Sequence, residues 1–413
     1  MNVLILDCET TTYEKGNPFS RRNKLCYVGL QDEVGYNDFK IEYDKDPYGT
    51  QIAEIKQRIS NADLIVGFNL KFDLHWIRRY AHTNFLDLSV PVWDCQLAEF
   101  LLSHQRWPYP DLDEACSRRG LGNKLDTVRS TYWENGIDTP DVPSDSLREY
   151  LRNDVLLTWS LYEAQRKEFE QLDPRLYKLF RLQCADLLVL QEMEFNGMHY
   201  DTVESLLLAE KLDKELEEID ADLTALVPVD GINWNSNDHV SVVLYGGILN
   251  LPCRVRTERI LKNGTVKIGE KNGFRTIELP RLVTPLKGTE TLPTKEWSDD
   301  ELIQQNEGRD KPFCRIFSVG EAILKSLKAK GKAAKIIAII LKRSKLEKLN
   351  STYYRGLPEV IIVKDWPDGV IHGQFNQCVA VTGRLSSSNP NQQNFAGEIK
   401  NLFYSRYNKN ELS

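Results

Sequence analysis

The sequence predicts an α/β domain followed by a mainly helical region with a β-rich insertion. Three observations predict it. Over the first ~180 residues, short apolar runs alternate with segments of helical 3–4 spacing, the pattern of an α/β layer. Beyond them the helical spacing becomes nearly continuous. Between two such helical stretches lies "LPCRVRTERILKNGTVKIGEKNGFRTIELP", which is rich in β-branched residues and Asn-Gly pairs. At 413 residues the chain is long enough for two or three domains.

Taken in order, "NVLILD" and "KLCYVGLQ" read as strands, "IAEIKQRISNA" as a helix, and "DLIVGFN" as a short buried strand. "KFDLHWIRRYA" and "PDLDEACSRRG" read as helices, the second ended by its glycine. The segment from Ser144 to Leu172 is expected to start on a Ser/Asp cap and then hold helical spacing throughout. Residues 184–227 read as two helices broken at Asn196-Gly197, and the basic segment 251–280 as hairpins turning at 263–264 and 272–273. Helix returns over 318–354, and "VIHGQFNQCVAVTGRLSSSNPNQQNF" mixes a strand with a polar loop.

Composition narrows the function classes. The chain is 41% hydrophobic and 27% charged, and no apolar run approaches the ~20 residues of a membrane span, so no membrane partner is expected. Eight scattered cysteines without a C-x-x-C pair exclude a zinc module and point to reduced thiols in a cytoplasm, the expected location. The net charge is −7, yet Lys325–Lys348 carries +8 and Cys253–Lys295 carries +6, leaving −21 elsewhere. Such segregation suits a protein that offers one basic face to a polyanion.

The chemistry starts at "LILDCET". Residues i and i+2 of a strand share a face, so Asp7 and Glu9 stand side by side at a strand end. "NLKFD" sets Asn69 and Asp73 at i and i+4, one helical turn apart, and "YLRND" does the same for Tyr150 and Asp154. Each pair alone also reads as a turn or a helix cap. Together they offer four carboxylates whose mutual repulsion a divalent cation would cancel. Oxygen ligands in that number suit Mg²⁺ or Mn²⁺ rather than zinc. Two such ions could activate water and stabilise a leaving oxygen in phosphodiester cleavage.

"LDCET", "NLKFD" and "YLRND" resemble, in order and spacing, the three motifs of the DEDDy 3′–5′ exonucleases. They are most similar to the proofreading domain of bacteriophage-type family A DNA polymerases, which implies a ribonuclease H-like fold. By that resemblance Asp7, Glu9 and Asp154 hold one metal, and Asp7 is shared with a second that Asp73 supports. Tyr150 would orient the attacking water and Asn69 the terminal nucleotide. Asp94, in "VWDC", is read as structural, and Cys8 is expected to point away from the metals into the domain interior.

In the second half "TGRLSSSNPNQQN", Thr382 to Asn394, resembles the segment that opens the family A palm. The resemblance implies that Thr382, Arg384, Asn391, Gln393 and Asn394 meet DNA, Arg384 by probing minor-groove acceptors that look alike for all correct pairs. "LKRSKLEKLNSTYY" resembles the thumb helix, with Lys348 and Tyr353 at the family's DNA-contacting Lys and Tyr. The family's preceding Arg falls on Ser344, so its role is either lost or moved to Arg343.

The implied domains are an exonuclease at 1–180, a thumb at 181–370 with a basic insertion at about 250–312, and the start of a palm at 371–413. The insertion is either a surface elaboration or a site for duplex DNA or a processivity factor, for which Arg254, Arg256 and Arg259 are the candidates. The carboxylates that the family uses for nucleotide addition are not in this sequence. The resemblance therefore implies a split polymerase completed by a second chain, with a truncated gene product or a free-standing exonuclease as alternatives. The partners expected are primer–template DNA and single-stranded 3′ ends. An RNA-trimming exonuclease and an inactive DNA-binding subunit are the competing functions.

Overall fold

The apolar run at the start of the chain forms β1 (Val3–Thr10), in which Leu4, Ile5 and Leu6 are fully buried. A strand this apolar needs cover on both faces. In the computed structural model, β1 is the centre of a five-stranded mixed sheet. On one side β2 (Leu25–Asp32) and β3 (Gly35–Lys40) follow as antiparallel neighbours. On the other, β4 (Leu64–Gly67) and β5 (Val92–Asp94) run parallel to it. Pairing with β4 ends at Ile5, opposite Val66, but pairing with β2 continues through Asp7 and Glu9. β1 therefore overhangs its parallel neighbour at the carboxyl end, where α/β sheets open a crevice.

The structure describes residues 1–42, 49–260, 266–291, 316–367 and 369–404. The helices flanking the sheet are α1 (Thr50–Ser60), α2 (Leu70–Ala81), α3 (Cys95–Leu102), α4 (Leu112–Ser117), α5 (Ser144–Gln171) and α6 (Pro174–Asn196). α5 lies across β1 and β2, and Gly29 makes that approach possible. A Cβ at Gly29, which pairs with Asp7, would sit 2.9 Å from Leu151 Cγ and 3.0 Å from Val155 Cγ2. The expected Ser/Asp cap on α5 is not formed. Pro143 holds the cap position without a side-chain bond, and Ser144 Oγ instead accepts from Tyr27 Oη at 3.0 Å and Lys40 Nζ at 3.2 Å. Sheet contacts outcompete the local cap. A three-residue strand, β6 (Met198–Tyr200), follows α6.

Residues 204–356 form a compact unit of their own. α7 (Thr202–Leu226), α8 (Asn237–Tyr245) and α9 (Gly331–Lys348) contribute Leu223, Val243, Leu244, Ile336 and Ile340 to its core. From this core rises a hairpin of β7 (Gly247–Ile260) and β8 (Val266–Leu279), rooted by Leu249 and Leu251 packed on Val242. The turn expected at 272–273 does not exist. Asn272 and Gly273 lie inside β8, opposite Arg254 and Cys253. Gly273 serves packing there, since a Cβ would lie 2.4 Å from Val255 Cγ2. The turn expected at 263–264 and the side chain of Arg259 fall outside the described residues, as do positions 292–312 of the insertion.

The chain then rejoins the first unit, which comprises residues 1–203 and 357–413. β9 (Val370–Ile371) and β12 (Phe403–Tyr404) pair antiparallel with β6 on its two sides, and β10 (Gln374–Asn376) pairs with β11 (Ser386–Ser388). The compact units thus divide at 203/204 and 356/357, not at 180/181 and 370/371. The physical reason is α6, whose Phe180, Cys184, Leu187 and Leu188 are buried in the core around the five-stranded sheet. Among the described residues, no helix is long and apolar enough to cross a membrane.

Candidate functional site

The overhang of β1 and the approach of α5 bring three carboxylates together. One oxygen each from Asp7, Glu9 and Asp154 lies within 4.8 Å of the others, with Asp7 half-buried and the other two buried. No other group of three such ligands occurs among the described residues. Asp154 Oδ1 is buried without a hydrogen-bond partner. A buried, orphaned oxygen on a carboxylate grouped with two others fits a hard divalent cation, whose binding would offset its desolvation.

Asp73 stands beside this trio rather than in it. Where β4 stops pairing, the Cys8 amide turns to Asp73 and donates to Oδ1 at 3.0 Å. Cys8 is buried, its thiol pushed up by burial and then by Asp73. That thiol lies against Asp73, a candidate metal residue, rather than pointing away from the metal site as expected. Asp94 is structural as read. It accepts from Asn69 N at 3.3 Å and Leu70 N at 2.9 Å, opening α2, and from Gln96 N at 2.7 Å and Leu97 N at 3.3 Å, opening α3. Asn69 itself adopts φ 55°, ψ 43°, a left-handed conformation that asparagine tolerates.

The electrostatics follow from burial. Asp7 is raised to about 7, first by desolvation and then by the charge of Asp154. Glu9 is pushed well above the carboxylate range by burial and then by Asp7, and Asp73 likewise. An acid whose folded pKa is raised stabilises the fold below its unfolded pKa and loses that contribution as pH climbs through the folded value. In EDTA the melting temperature is therefore expected to fall between pH 5 and pH 8. Asp7→Asn should make that slope shallower, a gain on the order of 2–4 kcal/mol at pH 8, with Glu9 and Asp73 supplying the slope that remains. A flat melting profile for the wild type would contradict this.

Sequence reasoning missed Lys124. Its Nζ lies 2.6 Å from Asp154 Oδ2 and 5.4 Å from the centroid of the Tyr150 ring. Tyr150 is itself buried and meets Trp133 edge-on at 5.5 Å, its hydroxyl raised by desolvation and by Asp154. The polar loop "RRGLGNKLD" carried no periodicity from which Lys124 could be placed.

A second missed feature sits on the other side of α2. Glu194 accepts from Lys71 Nζ at 2.6 Å and from Phe375 N at 2.6 Å, and meets His75 Nε2 at 2.9 Å. Lys71 also donates to the Phe375 carbonyl. Asn69, Lys71, His75 and Glu194, with Phe375, line a cavity of about 240 Å³.

The predicted nucleic-acid residues divide. Thr382, Arg384, Asn391, Gln393 and Asn394 are all exposed, on and beyond the β10–β11 hairpin. Asn391 Oδ1 accepts from Gln393 N at 3.2 Å, and Gln393 Nε2 donates to Leu385 O at 3.2 Å, so the loop is internally braced. In the second unit Lys348 is exposed and lines a polar cavity of about 430 Å³ with Asn235, Asn237 and Ser344. Tyr353 is 8% exposed, largely covered by the protein. Arg343 is buried and paired through Nε to Asp220 at 2.5 Å, with Nη1 on Asn235. It therefore offers no free guanidinium in place of the arginine that Ser344 lacks.

The family model for DNA polymerase family A matches residues 301–411. A DNA polymerase of Bacillus phage SP01 is 22% identical over 407 residues, 95% of this chain and 41% of that protein. The DNA polymerase I of Synechocystis sp. is 25% identical over 342 residues, 81% of this chain and 28% of that one. The chain thus spans less than half the length of these two relatives. Among solved structures, the polymerase domain of Pol1 from M. smegmatis, in complex with DNA primer-template and dNTP, aligns with a TM-score of 0.57 at 15% identity. That alignment covers 96% of this chain and 52% of that one, a likeness of fold. Matched in its last third by the family model and along most of its length by two polymerases, the chain is similar to the family A DNA polymerases.

Proposed function

We propose that this chain is a metal-dependent 3′–5′ exonuclease acting on DNA, the proofreading part of a family A polymerase. The observation that carries the reading is the convergence of Asp7, Glu9 and Asp154 with Tyr150 one turn before Asp154. Asp7, Glu9 and Asp154 would hold Mg²⁺ or Mn²⁺, with Asp73 supporting a second ion. Bound there, such ions supply a lowered water pKa and charge stabilisation at the phosphodiester. The protein's own contribution is positional. Tyr150, packed edge-on against Trp133, keeps its hydroxyl protonated, because burial and the Asp154 charge disfavour the phenolate, and it can orient a water. Asn69, fixed by the Asp94 cap at the mouth of α2, can hold the terminal nucleotide. Arg384 and its neighbours present exposed donors to the minor groove of a primer–template.

The test is digestion of single-stranded DNA labelled at its 3′ end, with Mg²⁺ and then with EDTA, beside an RNA of the same sequence. Rapid label release from DNA that EDTA abolishes is expected. Endonucleolytic products, preference for RNA, or no release would each sink the reading.

A further inference from the structure

Lys124 has no role in the function proposed above, yet its ammonium group reaches into the carboxylate cluster. Three observations define its situation. Nζ sits 2.6 Å from Asp154 Oδ2 on a side chain that is 29% exposed, against 7% for the aspartate. The other oxygen of the same carboxylate, Oδ1, is buried and unpartnered. The loop that delivers the lysine is anchored through its backbone, with Lys124 N donating to Asp113 Oδ1 at 2.6 Å and Leu125 N to Asn153 Oδ1 at 3.2 Å. The backbone is held while the side chain keeps an open path to solvent.

We propose that Lys124 is a tethered counter-cation: it neutralises the Asp7, Glu9 and Asp154 cluster in the metal-free protein and competes with divalent metal for Asp154 Oδ2. Two charge effects act in the same direction. A divalent ion entering the cluster meets an ammonium already bound to one ligand, which must yield that oxygen or tolerate the repulsion. Removing the ammonium leaves the carboxylates repelling one another until metal arrives. Lys124 thereby sets the metal concentration at which the centre loads and protects the fold below it. Tyr150 supports the resting position, since its ring lies under the ammonium.

This inference rests on the metal centre of the proposed function, so its readout is metal binding rather than cleavage. Mn²⁺ is titrated into the full chain while the free-ion electron paramagnetic resonance signal is followed, and melting is recorded in EDTA and in saturating Mn²⁺. Lys124→Gln is expected to bind Mn²⁺ about tenfold more tightly than wild type and to melt lower in EDTA, with saturating Mn²⁺ erasing the melting difference. Lys124→Arg, which keeps the charge, should behave as wild type, and Asp154→Asn should weaken binding, placing the ion at this cluster. Equal or weaker Mn²⁺ affinity in Lys124→Gln, or an unchanged melting temperature in EDTA, overturns the proposal. A wild type that binds Mn²⁺ but releases no nucleotide removes the nuclease reading alone, whereas one that binds no Mn²⁺ removes both.

Discussion

Replacing Asp7 and Glu9 together by alanine is expected to abolish 3′-nucleotide release, by about 10⁴-fold or more, while making the metal-free protein more stable. The two effects share one cause. These side chains supply two of the three converging oxygens, and a metal-assisted displacement without them forfeits several kcal/mol of transition-state stabilisation. The same oxygens are held in a buried cluster where burial and mutual repulsion raise Asp7 and Glu9 above their ordinary range. Alanine relieves that stress at neutral pH. Single-turnover release of a 3′ label, paired with melting in EDTA, measures both. A double variant that is inactive and also less stable would mean that these acids brace the fold, and the case for a metal centre would go with it.

The second large effect belongs to Glu194. This side chain is 2% exposed, and it compensates Lys71 while accepting from the Phe375 amide. Glu194→Ala leaves a largely buried ammonium without its carboxylate and the part-buried Phe375 amide without its acceptor, and is expected to cost about 3–5 kcal/mol in urea unfolding. Lys71 would keep the Phe375 carbonyl, which places the loss toward the lower end. Glu194→Leu combined with Lys71→Met removes both charges and should recover most of the loss, because replacing a buried pair is far milder than breaking one. A single variant within ~0.5 kcal/mol of wild type would show that water already serves this network.

The carboxylates were legible because strand alternation and the i, i+4 spacing of helices are local rules that hold wherever the element forms. The sequence placed Asp7 with Glu9 and Tyr150 with Asp154, and the fold keeps both pairings. It could not show that Asp73 would be claimed by the Cys8 amide, because that bond exists only where β4 falls short of β1. Lys124 escaped notice because a lysine in a polar loop looks solvated until the loop is anchored to Asp113 and Asn153. At Tyr353 and Arg343 tertiary packing adds what spacing alone does not carry. Residues that matched or adjoined a family contact are turned inward by packing and by Asp220. At 272–273 the Asn-Gly pair was a turn in isolation, and its pairing with 253–254 made it straight strand.

β6 is three residues long, but its two partners arrive late: β9 at 370–371 and β12 at 403–404. Between β6 and β9 the chain builds the whole unit of residues 204–356. At synthesis rates of ~5–20 residues per second, β6 therefore waits on the order of ten seconds or more for each edge to be covered. The five-stranded sheet of the candidate nuclease can close during that interval, while Glu194 and Lys71 still lack Phe375. A ribosome-bound chain of this length class would thus carry a formed carboxylate cluster on a domain whose last seam is open. Early proteolysis should cut at that seam, around residues 196–202, before it reaches the sheet.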